Sequence, residues 1–375
     1  MRNKNLLPPG FRDDLSPTTE SEHFYMNAII SIFNKNGFQI VKPPLVEYFN
    51  KFDDKNTFII NEKKKNKKLK LRNDITLQVA RIASSRFKRN ISPLKLCYYG
   101  EVVRNFGTIL RPERQFLQVG AECIGKNNFF ADIEILMLAC QSLLIVGIKK
   151  ITIDFSNPIF LNNLIIKNFS SKKNVNDFLK YVQKKDLKKS LTFLKDKSLN
   201  EYLKNIIECR GNLSSNIKKL EKLSINEKLS NEIKKIIKTY KILKKEFKTI
   251  NFNIDLTENT IESYYTGLNF TAFARNVRGE IARGGRYITK FSKGEEATGF
   301  TCFMDSILRA SSFDKKQKRI IVPFNTKKTI INSLQKKQFI IERFFDNNIK
   351  LSKNYNNKIY THILINNKIR KLKNA

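Results

Sequence analysis

The chain has no tryptophan, two histidines (His23 and His362) and only 14 glycines in 375 residues. Two histidines are too few for metal-ligand clusters, and they make a histidine-based catalytic triad an unpromising reading. The five cysteines, at 97, 123, 140, 209 and 302, are odd in number and scattered, with no CxxC pair. That pattern suits reduced thiols rather than a disulfide framework or a zinc site, so no metal and no cofactor are expected. No segment reaches ~20 uncharged apolar residues. The best, "IEILMLACQSLLIVGI" at 133–148, is too short, carries a glutamate and reads as a buried helix. The opening "MRNKNLLPPGFRDDLSP" has no apolar signal core. A cytoplasmic protein with no membrane partner is expected.

Acidic residues are scarce beside basic ones, 34 against 71, which leaves a formal charge of +37. Lysine-rich surfaces bind phosphate backbones by releasing counterions. Here, however, lysine travels with asparagine and isoleucine throughout, as codon choice in an A/T-rich genome would produce, and no aromatic-and-basic RNA-binding motif interrupts the runs. Nucleic acid is therefore not the expected partner.

Apolar residues at 24, 25, 28, 29, 32 and 33 predict an amphipathic helix from Pro17 to Asn36, with Ser16 as N-cap and Gly37 as the stop. "LRNDITLQVARIASSRF" predicts a second helix, capped by Asp74 or Asn73, with Ile75, Val79, Ile82 and Ala83 on one face. "LKLCYYGEVVRNF" and "RQFLQVGAECIG" predict an antiparallel hairpin, followed by an all-round apolar helix after Phe129. From 158 to 248 glycine almost vanishes and Leu220, Leu223, Ile225, Leu229, Ile233 and Ile237 recur at helical intervals, so this section is expected to be a lysine-coated helical insert. Strand character returns after it. The expected division is 1–157 and 249–315 for two parts of one core, 158–248 for the insert, and 316–375 for a small C-terminal α/β segment.

The stretch "RQFLQVGAECIG" alternates, with Arg114, Phe116, Gln118, Gly120 and Glu122 on one face and a mostly oily back. Two readings are open. One is a half-buried strand whose polar face meets water. The other is the floor of a pocket, because glycine in a strand interior marks a close approach of ligand or backbone.

Six stretches, "RNDIT", "YYGEVVR", "RQFLQVGAE", "YYTGLNF", "ARGGRY" and "ATGFTCFMDSIL", occur in that order and together resemble the class II aminoacyl-tRNA synthetase core, that of histidyl-tRNA synthetase and its paralogues. With "LLPPGFRDDLSP" and "GFQIVKPPLVEY" the resemblance is nearest to the regulatory subunits of short-form ATP phosphoribosyltransferase. It covers residues 6–155 and 250–310 well, the insert in type only, and the C-terminal piece weakly. It implies an α+β fold, a synthetase-like antiparallel sheet flanked by helices. It also implies a histidine pocket. Asp74 and Thr76, with Gln118, would hold the α-amino group; Glu122 would take the imidazole N–H; Tyr264 and Tyr265 would close on the ring. Core packing is the competing reading for the tyrosine pair. Arg104, the retained arginine of the second motif, belongs to the same candidate set.

The departures from a working synthetase bear on catalysis. Thr260 stands where the family has an arginine, Ser306 where an arginine lies on ATP, Phe303 where there is a glycine, and Phe106 where an acidic residue reads adenine. Asn73 and Ile288 depart from the regulatory subunits' own pattern. The resemblance thus implies no catalytic residue of its own. It implies a non-catalytic subunit of an ATP phosphoribosyltransferase, assembled with the short catalytic subunit, dimeric with itself and carrying feedback inhibition by L-histidine. The alternatives are an active histidine-tRNA ligase and a tRNA-binding paralogue, and the sixty residues after 315 are fewer than the hundred or so of a small anticodon-binding domain.

Overall fold

The computed structural model describes residues 6–49, 55–61, 67–87, 93–126, 128–169, 171–258, 265–289, 294–311, 318–345 and 360–372. Contacts divide the chain into a large unit, Met1–Ser312, and a small one, Phe313–Ala375.

Helix α1 spans Thr18–Lys35. It starts later than expected because the Leu15 carbonyl accepts from Thr18 N at 2.9 Å, and Pro17 rather than Ser16 holds the cap position. Its buried stripe is Tyr25, Met26, Ile29, Ile30 and Phe33, rotated by about one residue from the predicted one because Met26 and Ile30 turn inward and Phe24 stays 43% exposed. Strands β1 (Gln39–Val41) and β2 (Val46–Tyr48) flank the Pro43–Pro44 turn, and β3 (Phe58–Asn61) and β4 (Lys68–Leu71) complete a small sheet ordered β2-β4-β3. Helix α2 (Thr76–Arg86) has Ile75 at its cap position, while Asp74 Oδ1 accepts from Thr76 N at 2.8 Å and so serves the first helical amide. Asn73 is not the cap; its side chain donates to Thr57 Oγ1 at 3.2 Å.

Strands β5 (Leu94–Val103) and β6 (Gln115–Ile124) form the expected hairpin, with Tyr98 opposite Gly120. Helix α3 (Phe129–Ile145), capped by Asn128, and strand β7 (Ile151–Ser156) follow. The next helices are α4 (Ile159–Asn168), α5 (Lys172–Gln183), α6 (Leu187–Leu191), α7 (Lys197–Glu208), α8 (Leu213–Glu221) and α9 (Glu227–Glu246). The helical reading of this section missed β8 (Arg210–Asn212), which pairs with β9 (Asn251–Asp255). Three exposed residues carry no periodic signal, and their pairing is made outside the segment. Ile225, read as an inward position, is 50% exposed because it lies in the turn before the cap of α9. Strands β10 (Tyr265–Ala274), β11 (Ala282–Ile288) and β12 (Glu296–Phe303) and helix α10 (Met304–Ala310) close the unit.

The nine-stranded sheet runs β1-β5-β6-β12-β11-β10-β7-β9-β8. It is antiparallel except where β1 lies beside β5 and β7 beside β9. On one face Leu117, Val119, Ala121 and Cys123 of β6 join α1, α3 and the inserted helices in one continuous apolar core that includes Phe178, Leu203 and Ile236. On the other, Leu96, Tyr98, Phe116, Ile124, Tyr287 and Phe303 pack with Ile75, Val79 and Ala83 at α2. Both faces of β6 are therefore covered.

The small unit consists of β13 (Arg319–Pro323), α11 (Lys328–Lys336), β14 (Ile340–Phe344), β15 (His362–Ile365) and β16 (Lys368–Lys371), in the sheet order β14-β13-β15-β16. Ile331 and Leu334 of α11 pack with Ile320, Val322 and Leu364.

Phe178 of α5 is fully buried, with its ring 4.9 Å from that of Phe169 and 6.0 Å from that of Phe193. Phe178→Ala should cost about 3–5 kcal/mol in urea unfolding. Because the inserted helices share the main core, the large unit should still unfold in one transition; a separate early transition of the insert would contradict this.

Candidate functional site

The alternating strand resolves into a buried polar floor. Gln118 and Glu122 of β6 are 0% and 1% exposed, so the water-facing reading of this strand is excluded. Burying an amide and a carboxyl side by side is costly unless each is hydrogen-bonded, and both are. Gln118 Oε1 accepts from Ile75 N at 3.2 Å while its Nε2 donates to Asp74 Oδ2 at 3.2 Å. This joins the start of α2 to the middle of the sheet and leaves the Asp74 carboxylate part-buried at the edge of the floor.

Glu122 is held from two sides. Tyr287 OH donates to Oε2 at 2.8 Å, and Tyr98 OH lies 3.5 Å from Oε1. The Tyr98 hydroxyl also meets Thr301 Oγ1 at 2.7 Å and Thr76 Oγ1 at 3.1 Å. Burial pushes the Glu122 pKa up to about 8, against the opposing pull of the tyrosine and threonine hydroxyls. Burial likewise raises Tyr98 well above the usual phenol value. The floor thus presents a carboxyl group poised to change charge near neutrality.

The glycines have a different use from the expected one. A Cβ at Gly120 would lie 2.4 Å from Tyr98 OH, and one at Gly299, opposite Glu122 in the register, would lie 1.7 Å from Glu122 Oε2. Gly284 and Gly285 meet Phe300 and Asn269 of neighbouring strands in the same way. Gly120 and Gly299 thus admit the protein's own polar side chains, while Gly284 and Gly285 allow close approach of the neighbouring strands.

The structure brings Asp74, Thr76, Gln118 and Glu122 into one network. Tyr265 begins β10, where burial raises its pKa to about 12 and Arg283 hydrogen-bonds it. Tyr264 lies outside the described residues, as does Thr260. Arg104 stands apart, its guanidinium 4.8 Å over the Phe116 ring and ion-paired with no described residue. Arg114, placed on the same face by alternation, instead donates from Nε to the Arg104 carbonyl and from Nη1 to the Pro9 carbonyl. Sequence reasoning missed Tyr98, Tyr287 and Thr301. Strand pairing was the available signal, since Tyr98 and Thr301 both sit opposite Gly120.

Around Phe116 the side chains pack closely. Phe303 is 2% exposed and packs edge-on against Phe116 at 6.1 Å. The Arg111 guanidinium lies 3.9 Å over the Phe303 ring and pairs with Asp305 at 3.4 Å and Glu280 at 3.6 Å. Ser306 Oγ accepts from Arg111 Nη2 at 3.3 Å and Arg309 Nη2 at 3.1 Å. A buried cation already neutralised by two carboxylates has little attraction left for a phosphate, and the electrostatic stabilisation that acyl transfer requires is lost with it.

The raised pKa of Glu122 has a sign that can be tested. Between the ordinary glutamate value of about 4.3 and about 8, the folded chain keeps a proton that the unfolded chain has released. The stabilisation is complete at low pH and declines as pH rises through this window. The thermal midpoint should fall more steeply from about pH 5 to about pH 8 in the parent than in Glu122→Gln, which cannot ionise. Parallel curves would contradict the assignment.

Comparison with known proteins agrees with this geometry. The family model described as histidyl-tRNA synthetase matches residues 10–307. The ATP phosphoribosyltransferase regulatory subunit of Paramagnetospirillum magneticum is 33% identical over 331 residues, 86% of each chain. That of Rhodospirillum centenum is 34% identical over 328 residues, 86% of this chain and 84% of its own. Among solved structures, an ATP phosphoribosyltransferase regulatory subunit/histidyl-tRNA synthetase from Bacillus halodurans shares the fold with a TM-score of 0.76 at 21% identity, covering 93% of this chain and 95% of its own. A chain of the ATP phosphoribosyltransferase complex from Thermotoga maritima shares it at 0.60 and 20% identity, covering 76% and 97%. The chain belongs to the histidyl-tRNA synthetase-like family of ATP phosphoribosyltransferase regulatory subunits.

Proposed function

We infer that this chain is the non-catalytic regulatory subunit of ATP phosphoribosyltransferase, the enzyme that joins ATP to phosphoribosyl pyrophosphate in the first step of histidine biosynthesis. Its curated relatives carry that name over 86% of the chain. The observation that supports the non-catalytic part is the Arg111 guanidinium, stacked on Phe303 and paired with Asp305 and Glu280, which leaves it little charge for the nucleotide an active histidine-tRNA ligase needs.

The finer reading is that the Glu122 pocket senses L-histidine for feedback inhibition of the short-form catalytic subunit. Supporting it is the match of charge to ligand. An ammonium group wants the Asp74 carboxylate with the Gln118 amide beside it, through charge-assisted bonds of roughly 1.5–3 kcal/mol each, and an imidazole N–H wants a Glu122 carboxyl oxygen as acceptor. Histidine must then favour one state of the complex, since only differential affinity moves an equilibrium. Self-association into a homodimer is proposed through α1 and β1. The latter is an edge strand of the large sheet, with Ile40 47% exposed, and Phe24 of α1 is 43% exposed. No helix among the described residues is long and apolar enough to cross a membrane, and the five buried, unbridged cysteines support a cytoplasmic setting.

Calorimetry with L-histidine should show a loss of about 2 kcal/mol or more in Glu122→Ala, the cost of removing a hydrogen-bond partner from a buried site. Equal affinity in parent and variant would defeat the sensing reading. In a separate assay, purified protein should give no histidine-dependent pyrophosphate exchange with ATP; exchange above background in a preparation free of synthetase would restore the ligase reading.

A further inference from the structure

An amino acid in the pocket brings an ammonium group, an imidazole and an α-carboxylate. Asp74 with Gln118 suits the first and Glu122 the second, which leaves the carboxylate without a partner. A negative charge is costly to place beside Asp74 and Glu122 unless a cation meets it there. The register of the sheet shows which cation can.

Strand pairing sets Tyr98, Gly120, Thr301, Arg283 and Thr271 in one row across β5, β6, β12, β11 and β10. Along β6, Gln118 lies on one side of that row and Glu122 on the other. Alternation puts Arg283 on the face of Tyr287, whose hydroxyl reaches Glu122, while its neighbour Ala282 belongs to the core on the opposite face. At ordinary strand spacings the Arg283 Cα is about 12 Å from that of Gln118 and from that of Glu122 alike. A ligand that meets both therefore carries its third group over the middle row. On the β5 side of the row Tyr98 is fully buried, with its hydroxyl engaged by Thr301 and Thr76. On the β11 side Arg283 stands between two short side chains, Thr271 and Thr301, with half of its own side chain exposed.

The charge of Arg283 is only loosely taken up. Glu280 and Glu258 are the carboxyl groups that act on it. Glu280 Oε1 lies 3.9 Å from Arg283 Nη1 and 3.6 Å from Arg111 Nη1, so two guanidinium groups share it. Burial pushes Glu258 toward its neutral form. Arg283 also hydrogen-bonds the Tyr265 side chain, on which the charges of Glu122 and Asp74 act as well. The other arginines around the floor are committed or distant. Arg111 is stacked on Phe303 and paired with Asp305, Arg72 donates to the Glu101 and Pro43 carbonyls, and Arg286 holds Asp132. Arg104 lies six residues along the chain from Tyr98, about 20 Å from the middle row in an extended strand, with its guanidinium over Phe116.

We propose that Arg283 binds the α-carboxylate of the amino acid held in this pocket, through the paired N–H to oxygen contacts that a guanidinium makes with a carboxylate. The proposal rests on the histidine reading above. It makes Arg283 the residue by which the site tells the free amino acid from molecules that share its amine and imidazole but lack its negative charge. Tyr265, bonded to Arg283, helps to fix the guanidinium at the rim.

The test is calorimetric titration of the full chain with L-histidine and with L-histidinol, which carries a hydroxymethyl group in place of the carboxylate. The parent should bind L-histidine about 30-fold or more tighter than L-histidinol, as expected for a charged hydrogen-bond pair. Arg283→Gln should bind the two within about threefold of each other while holding L-histidinol as the parent does, and Arg283→Lys, which keeps the charge without the fork, should retain part of the preference. A larger preference kept by Arg283→Gln overturns the proposal, and so does its loss in Arg104→Gln instead. Loss of both ligands in Arg283→Gln marks a structural role and overturns it too. A parent indifferent to the carboxylate overturns the role of Arg283 and leaves the histidine reading standing; a parent that binds neither ligand overturns the histidine reading itself.

Discussion

One buried carboxyl group organises the site. Glu122 sits in a sheet interior at 1% exposure and is kept there by two tyrosine hydroxyls that arrive from different strands, Tyr98 from β5 and Tyr287 from β11. An isolated carboxylate in that position would be driven out or neutralised. Its partners fit only because Gly120 of the same strand leaves room for the Tyr98 hydroxyl and Gly299 of β12 leaves room for Glu122 Oε2. The local weakness of glycine in strands, the register of four strands and the unusual pKa are therefore consequences of one requirement, that a titratable acceptor stand in the interior of the sheet.

The same economy of space explains why recognition and chemistry have parted. The proposed ligand recognition needs only a few inward-aimed groups, Gln118 and Glu122 among them. Nucleotide chemistry would need room and unspent positive charge around Arg111. There Phe303 supplies bulk, Asp305 and Glu280 consume the charge of Arg111, and Ser306 offers an acceptor in the place of a donor. Reversing any one of these would leave the others in place, so activity is not one substitution away.

Much of this architecture is legible in the amino-acid sequence. The hairpin, the apolar helix behind it and the small α/β segment follow from periodicity, because each is amphipathic or uniformly apolar over its own length. The pocket members Asp74, Thr76, Gln118 and Glu122 stand in motifs that resemble a known family. What stayed hidden depends on pairing between distant segments. Strand β8 has three residues and forms only because β9 is beside it. Tyr98 and Tyr287 look like ordinary strand aromatics until the register sets them around Gly120 and Glu122. Phe24 and Ile225 fit a helical period on paper, yet packing turned one outward and placed the other in a turn. Arg104 matched a motif position, and its guanidinium lies 4.8 Å over the Phe116 ring.

The central claim is that a histidine-recognising pocket in a catalytically silent chain controls another protein. It is tested most directly by measuring phosphoribosyl-ATP formation by the short catalytic subunit, at a fixed subunit ratio, with the parent chain and with Glu122→Ala, each with and without L-histidine. Both forms should raise activity well above the catalytic subunit alone, and histidine should inhibit only the complex made with the parent. Equal inhibition of both complexes would place the sensing site elsewhere, and no activation by either would contradict the account at its root.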